Sequence, residues 1–398
     1  MYLYTSESVS AGHPDKCADI IADTIVDRLL ELDSNSRVAT EVFISGKHII
    51  IGGEVKTTAP VSEDFYRLCA LDALSSIGYP EVGFDEDETL YPDTADIEVL
   101  ISRQSPDISI GVDKKSGEIG AGDQGMMIGF ATDETTTLLP SALFYSRKIR
   151  DLLYSYALDN PGRFGVDIKT QVTMDYGTKV NFTKGKPVGI HTIVAAIPHV
   201  KTLDIEEARE EIQKVIEEAL EKDPLFDAKS CRFFIDGTGR YVTHSPLADS
   251  GTTGRKTVAD TYGGYAPIGG GAQSSKDYTK VDRSGLYAAR WIAKHIVAAK
   301  LAKKAIVEIA YVIGHAHPVS VTVDTMGTAA SGIKDEELSA KIAAEFPLTP
   351  VWITEMFGLD HPCENSFLYA DIAARGQVGY EDYPWEKLDR IDWFKSLL

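Results

Sequence analysis

Cysteine is scarce in this sequence, and its spacing argues against two kinds of scaffold. The four cysteines among 398 residues lie far apart and form no CxxC pair. This spacing argues against a zinc site and a disulfide scaffold, and it fits a reducing compartment. The sequence also lacks an apolar run of membrane-spanning length, and its first residues do not resemble a secretion signal. We therefore expect a cytoplasmic protein that has no membrane partner.

Positive charge is also in short supply. Lysine and arginine number 40 against 60 aspartates and glutamates, which gives a formal net charge of −20 at pH 7. Proteins that bind duplex nucleic acid normally present a basic face, so we expect no nucleic-acid partner. In so acidic a chain, a local cluster of lysines and arginines is more informative than usual.

Apolar residues are plentiful by contrast, and their spacing predicts a repeated unit. Over residues 17–102 the pattern predicts a helix, a hairpin, a second helix and a strand. The same order returns at residues 141–235, and a shorter version occupies residues 285–345. The sequence thus predicts an α+β fold of three similar domains related by an internal pseudo-threefold repeat. Antiparallel or mixed sheets would be covered by helices on one face and would meet a centre or a partner subunit with the other.

The entrance to the first helix carries groups that suit an anion. Residues 13–16 read HPDK, and free N–H groups and the helix dipole favour an anion at such a position. His13 can donate to a phosphate or ribose oxygen, and Asp15 can bind Mg²⁺, although a plain helix cap would use the same residues. Further along, Asp19, Asp23 and Asp27 mark the face opposite the apolar one, which is typical of an amphipathic helix with a solvated polar side.

Two glycine-rich loops combine backbone freedom with charge. Residues 269–277 read GGGAQSSKD, and three successive glycines allow backbone N–H groups to approach a ligand closely. The loop is either a polyphosphate cradle or a flexible surface loop beside a charged helix start. Residues 249–256 read DSGTTGRK, and Arg255 and Lys256 would form a strong positive pocket with Lys276 and Lys280 if the two loops converge.

Other candidates keep two interpretations each. Residues 120–125 read GAGDQG, but no strand precedes them, so a tight turn that presents Asp123 is favoured over a dinucleotide site. Glu41, Glu54 and Lys169 lie on predicted strands, either on a solvated face or at a binding site. The polar stretch before the GAGDQG motif is either a linker or a functional lid.

Taken together, these stretches resemble the S-adenosylmethionine synthetase family over nearly the whole chain. The motifs that carry the resemblance are TSESVS at 5–10, GHPDK at 12–16, QSPDI at 104–108, GAGDQG at 120–125, GRK at 254–256, DTYGG at 260–264 and the stretch at 269–282. The resemblance implies an N-terminal domain at 1–105, a gating loop at 106–119, a central domain at 120–243 and a C-terminal domain at 244–398. It also implies a homodimer with shared active sites, and pairing of dimers into a homotetramer.

The resemblance implies a reaction and a set of roles. The sulfur of L-methionine would attack C5′ of ATP and release triphosphate, which is then hydrolysed to pyrophosphate and phosphate. The implied catalytic residues are His13, Lys169, Arg255, Lys256 and Lys276. Asp15 and Asp282 would bind Mg²⁺, two ions in each site, and Glu41 would bind K⁺. The implied substrate-binding positions are Glu54, Gln104, Asp123, Asp167, Arg240, Tyr241, Asp249, Ala272, Lys280 and Ile313.

The chain also departs from the family pattern. Gln273 and Ser275 replace the usual phenylalanine and glycine of the glycine-rich loop, which puts the packing of that loop in question. An acidic insert at residues 85–93 looks peripheral.

The alternative function is a catalytically weak relative that binds ATP and regulates a partner, but such a protein should have lost a metal aspartate or a phosphate lysine. A kinase or ligase of another fold would carry a Walker or kinase signature, which is absent, and the charged loops argue against a purely structural assembly protein.

Overall fold

The computed structural model describes residues 1–103 and 120–398. In chain order the described elements are β1 (Leu3–Val9), α1 (Pro14–Leu32), β2 (Arg37–Ser45), β3 (His48–Lys56), α2 (Glu63–Ile77), β4 (Asp96–Arg103), β5 (Gly125–Thr132), α3 (Ser141–Asp159), β6 (Lys169–Asp175), α4 (Lys179–Lys184), β7 (Gly189–Ala196), α5 (Ile205–Leu220), β8 (Arg232–Ile235), β9 (Gly251–Thr252), α6 (Thr257–Asp260), α7 (Val281–Ala298), β10 (Lys304–Tyr311), β11 (Ser320–Asp324), α8 (Asp335–Glu345), α9 (Pro350–Phe357), α10 (Tyr369–Arg375) and α11 (Ile391–Lys395). The predicted order of helix, hairpin, helix and strand is confirmed. Gln104 and the predicted gating loop lie outside the described residues.

The described strands form three sheets, as the repeat predicts. Their orders are β1-β6-β7-β8, β4-β3-β2-β9 and β11-β10-β5. Within each sheet one hairpin is antiparallel, and in two of the sheets a further strand joins in parallel, β4 beside β3 and β8 beside β7. Each sheet buries one face against helices, and the fold is therefore a mixed α+β arrangement of three helix-covered sheets.

Three strands that the sequence did not predict link the three units in a circle. β1 pairs antiparallel with β6 of the central unit, β5 pairs with β10 of the third unit, and β9 pairs with β2 of the first. β1 and β9 lie beside the predicted HPDK and GRK motifs, and β5 begins just after Asp123. The exchange of strands therefore brings loops from distant parts of the sequence to shared sheet edges.

The helix α1 is not amphipathic in the predicted sense. Asp19, Asp23 and Asp27 are buried, with at most 6% of each residue exposed, and the apolar face around Ile21 and Ile25 is buried as well. The prediction of a solvated polar face was wrong because segments after residue 250 cover it and supply hydrogen-bond donors to the carboxylates. An α-helix that is buried on all sides can keep charged residues only when they are paired or hydrogen-bonded.

The acidic insert at residues 85–93 is less peripheral than the sequence suggested. Thr89 and Leu90 within it are fully buried. The carbonyl of Glu88 accepts a hydrogen bond from the backbone N–H of His244 at 3.0 Å. The insert therefore packs under the segment that leads to β9, and only part of it meets solvent.

Close packing of glycine fixes the third unit. A Cβ atom on Gly129 in β5 would lie 2.0 Å from the carbonyl carbon and oxygen of Ala289 in α7, so only glycine allows this helix to lie so near the sheet. Within residues 1–103 and 120–398, no helix combines the length and apolar character that a membrane span requires.

Candidate active site

Four aspartates of α1 form a line that holds other segments of the chain. Asp15, Asp19, Asp23 and Asp27 recur at every fourth position, so they lie on one side of the helix. We call them the acidic ladder. Each accepts a hydrogen bond from a backbone N–H group that lies after residue 250, and the donors are, in order, the N–H groups of Thr252, Gly254, Ser275 and Tyr369, at 2.9, 2.8, 2.7 and 2.9 Å. The ladder therefore fixes both glycine-rich loops against one helix.

Buried cations compensate two of these carboxylates. The Lys16 ammonium lies 3.3 Å from the carboxylate of Asp19 and 2.5 Å from that of Asp260, and Arg283 lies 2.5 Å from Asp23. Burial raises the pKa of Asp19 to about 7. Removing one partner of a buried ion pair typically costs about 3–5 kcal/mol, so these contacts tie the loops down firmly.

The first cluster of predicted residues lies at the N-terminus of α1. The turn after β9 brings Lys256 into a salt bridge with one oxygen of Asp15, while Arg255 Nε lies 3.5 Å from the other. Burial alone would raise the pKa of Asp15, but the hydrogen bonds from Lys256 and Thr252 outweigh it and lower that pKa. A Cβ on Gly251 would lie 2.0 Å from the carbonyl oxygen of Pro14, so this glycine lets the turn close over the helix.

His13 is placed to act as a neutral hydrogen-bond donor. It is the N-cap of α1, and its Nδ1 accepts the backbone N–H of Asp15 at 3.1 Å. Because Nδ1 is an acceptor, the proton of the neutral ring sits on Nε2. Burial and the charges of Lys256 and Lys169 lower the pKa of His13 to about 3. Lys169 is the first residue of β6 and pairs with Val9 of β1, four residues before His13.

The second cluster is built by the 269–277 loop. Lys276 donates to the carboxylate of Asp282 at 2.6 Å. A Cβ on Gly271 would lie 2.1 Å from the Asp282 carboxyl carbon, so the loop backbone wraps closely around this carboxylate. Ala272 touches the other loop, because a Cβ on Gly254 would lie 2.5 Å from its Cβ. The two glycine-rich loops therefore converge, as the positive-pocket interpretation required.

The two departures from the family pattern have visible consequences. Ser275 adopts φ +83°, a left-handed conformation that favours the glycine usual at this position. Its N–H is held by Asp23 and its carbonyl accepts from Thr40, so the loop keeps its path despite the strain. Gln273 is buried and its Nε2 donates to the carbonyl of Gly271 at 3.0 Å. The loop is thus braced by a hydrogen bond where the family usually has an aromatic ring.

Glu41 and Glu54 share the face of their sheet that lies opposite the buried one. Ala39 pairs with Glu54, and Glu41 pairs with Gly52, so all four positions face the same way. An isolated bridge joins Ala39 to Lys276, which brings the 269–277 loop to the edge of this face. The two predicted carboxylates therefore border the second cluster.

Asp167 and Tyr241 form a third group of predicted residues. The Tyr241 hydroxyl donates to Asp167 Oδ2 at 2.9 Å, and the backbone N–H of Ser245 donates to the same oxygen at 3.0 Å. Asp167 Oδ1 is buried, and no described residue donates a hydrogen bond to it. Burial raises the pKa of Asp167, while the charge of Lys169 opposes that rise. A buried acceptor without a partner is costly, and such an atom points to a ligand.

The other predicted residues are more exposed or locally paired. The Lys280 ammonium donates to the buried carboxylate of Asp277 at 2.5 Å, so its charge is paired within the loop. Asp123 and Asp249 accept hydrogen bonds from the backbone N–H groups of Gln124 and Ser250, respectively. Arg240 donates to the carbonyl of Lys201, and Ile313 is 45% exposed. Their predicted roles in substrate binding stay predictions.

The sequence did not identify the ladder residues Asp19, Asp23 and Asp27 as part of the site. The regular spacing of aspartates was visible in the sequence, but a solvated face gives the same pattern. A second signal was the absence of the lysines and arginines that usually accompany aspartates on an exposed helix face at i+4 spacing.

Comparison with known proteins agrees with this geometry. Models of the N-terminal, central and C-terminal domains of S-adenosylmethionine synthetase match residues 1–106, 118–241 and 243–387. The S-adenosylmethionine synthase of Wolinella succinogenes is 42% identical, and the match covers 99% of this chain and 98% of that protein. That of a Sulfurovum species is 40% identical, with coverage of 100% and 98%. The solved structure of an unusual S-adenosylmethionine synthetase from Campylobacter jejuni, 55% identical, superimposes with a TM-score of 0.95 over 100% of both chains.

The strain at Ser275 leads to a stability prediction. Ser275→Gly should raise the free energy of unfolding by about 1 kcal/mol, because glycine tolerates the positive φ. Ser274→Gly is the matched control, and it should lower stability because its hydroxyl accepts from Gln377 and its φ is ordinary. Denaturant unfolding of the two variants tests this. A loss of stability in Ser275→Gly equal to that of the control would contradict the account.

Proposed function

The chain belongs to the S-adenosylmethionine synthetase family, and we propose that it joins ATP and L-methionine by transfer of the adenosyl group to sulfur. The methionine sulfur would use a lone pair to form a bond to C5′ of ATP. The C5′–O bond would break, and its electron pair would leave with the triphosphate. The observation that carries the proposal is the convergence of His13, Asp15 and Lys256 with the 269–277 loop and its Lys276–Asp282 pair.

The cations of the site suit the difficult part of this reaction. A thioether sulfur is nucleophilic without losing a proton, so the step needs no general base. It does need stabilisation of a highly charged leaving group and alignment of sulfur, carbon and oxygen. Arg255, Lys256 and Lys169 around His13 can hold phosphate oxygens from one side, and Lys276 can do so from the other. His13 Nε2–H can donate to the triphosphate or to the oxygen that bridges to C5′.

The resting ion pairs suggest how the site takes up a charged substrate. Asp15 is paired with Lys256, and Asp282 is paired with Lys276, so each proposed metal ligand is neutralised by a proposed phosphate ligand. A triphosphate can take over the two lysines and leave both carboxylates free. The free carboxylates are hard oxygen donors that fit Mg²⁺, and the close wrap of Gly271 around Asp282 gives that ligand a fixed position. Bound Mg²⁺ would supply positive charge to the phosphate oxygens.

The second phase and the potassium site are part of the same proposal. The same cations would keep the triphosphate in place while water cleaves it to pyrophosphate and phosphate before release. Glu41, on the face that borders the 269–277 loop, would hold K⁺.

We also propose that the enzyme works in the cytoplasm.

We further propose a homodimer with shared active sites, which pairs into a tetramer. The described residues of one chain leave the face of the N-terminal sheet that carries Glu41 and Glu54 largely exposed. It bears Phe43 and Leu100, which are 42% and 57% exposed. Because this face also carries the proposed K⁺ ligand at the border of the second cluster, a second copy seated on it would lie beside the site.

The alternative is a catalytically weak relative that binds ATP. The proposed metal aspartates and phosphate lysines are all present, and the described ones converge, which favours the enzyme. Product analysis by mass spectrometry separates the two, with ATP, L-methionine, Mg²⁺ and K⁺ added to the purified protein. We expect S-adenosylmethionine, pyrophosphate and phosphate only when methionine is present. Bound ATP without product would instead support the regulatory relative.

Lys276 gives a residue-level prediction. Lys276→Ala should lower kcat by about 10²–10³-fold, because it removes a charge that stabilises the leaving group. The KM for methionine should change by no more than a few-fold. Steady-state kinetics with Lys222→Ala, an exposed lysine after α5, as the control variant tests this. A change confined to methionine KM would remove Lys276 from the polyphosphate role.

A further inference from the structure

We propose that the buried ion pair between His244 and Glu81 positions Asp167 for nucleotide binding. Neither residue was singled out by the sequence, and neither belongs to the clusters that would hold the triphosphate. The inference rests on the proposed function, because it assigns to this pair the alignment of the nucleoside end of ATP.

The geometry of the pair suits two opposite charges. His244 is completely buried, and its Nε2 lies 2.5 Å from Glu81 Oε2, while its Nδ1 lies 2.8 Å from the carbonyl oxygen of Val242. Both ring nitrogens face acceptors, an arrangement that an imidazolium satisfies by donating from both. Burial alone would lower the pKa of His244, but the Glu81 carboxylate outweighs burial and the pKa is raised.

The Glu81 half of the pair holds the chain just before Asp167. Its Oε1 accepts the backbone N–H of Val166 at 2.6 Å, and Thr89 donates to Oε2 at 2.5 Å. A Cβ on Gly165 would lie 2.7 Å from Glu81 Oε1 and 3.0 Å from His244 Nε2. The position before Val166 is therefore shaped to admit the ion pair.

The His244 half holds the segment that faces Asp167. The next residue, Ser245, takes φ +65° and donates its N–H to Asp167 Oδ2 at 3.0 Å. Tyr241, three residues before His244, donates its hydroxyl to the same oxygen. The imidazolium is tied to Val242 and to Glu81, so it fixes the turn that presents both donors.

Glu81 and His244 thus fix the backbone on both sides of Asp167, and they leave its Oδ1 available to a ligand. Oδ2 receives two hydrogen bonds, whereas the buried Oδ1 receives none from residues 1–103 or 120–398. An acceptor held in this way suits a hydroxyl or amino donor of a nucleoside. His244 and Glu81 are positioning residues, since they act through Val166 and Ser245. Their loss should therefore weaken nucleotide binding far more than methionine binding.

The test combines Glu81→Gln, His244→Gln and the double variant. Calorimetry with the non-hydrolysable analogue adenylyl imidodiphosphate and Mg²⁺ gives the nucleotide Kd, and kinetics gives KM for methionine. Each single variant should raise the nucleotide Kd at least 10-fold and leave methionine KM within 3-fold of wild type. The double variant should regain part of the loss, because no buried charge is then left unpaired.

Two further comparisons separate positioning from general stability. Glu386→Gln breaks the buried pair with Arg290, and it should lower Tm without changing the nucleotide Kd. In an Asp167→Asn background, Glu81→Gln should add no further loss of nucleotide affinity. An equal loss in that background, or single variants that lower Tm with an unchanged nucleotide Kd, would overturn the inference.

A milder variant covers the case in which the single variants do not fold. Thr89→Val removes one donor to Glu81 and keeps the ion pair, so it should shift the nucleotide Kd in the same direction by a smaller factor. An unchanged Kd there would also overturn the inference. If wild type formed no S-adenosylmethionine while these shifts in Kd still occurred, the proposed function would fail and the positioning role would stand.

Discussion

The hydrogen bonds of the acidic ladder are the constraint on which the site depends. Asp15, Asp19 and Asp23 hold the two glycine-rich loops through backbone N–H groups, and Asp27 holds the N-terminus of α10. Glycine-rich loops are intrinsically flexible, and alone they would pay a large entropy cost on ordering. One rigid helix that supplies four acceptors, each about one helical turn from the next, removes that freedom before a substrate arrives.

The circular exchange of strands is what brings the ladder and its loops together. β9 pairs with β2 of the first unit, which carries the 249–256 loop to the N-terminus of α1. The 269–277 loop follows, and it contacts β2 through Thr40 and the Ala39–Lys276 bridge. Local hydrogen bonding thus fixes each loop, while the topology decides that the two loops meet. Charge pairing then completes the arrangement, with a lysine opposite each proposed metal ligand.

Much of this could be predicted from the sequence, and the limits have physical reasons. The helices and hairpins could be predicted from the local spacing of apolar residues. The loops that carry the motifs could be recognised by their glycines and charged residues. β1 and β9 could not be predicted in this way, because one is polar, the other has two residues, and both pair with strands far away in the chain. Asp23 shows the same limit for the site. Its partners, Ser275 and Arg283, lie more than 250 residues away, so the sequence pattern could not distinguish a solvated aspartate from a buried one.

Hydrogen–deuterium exchange of two ladder variants tests most directly whether each aspartate holds its own segment. Asp23→Asn should speed amide exchange in a peptide that covers residues 269–283 and leave residues 366–375 protected. Asp27→Asn should do the reverse, because its two oxygens accept the N–H groups of Tyr369 and Ala370. Equal acceleration of both peptides in both variants, or no acceleration in either, would contradict the central role given to the ladder.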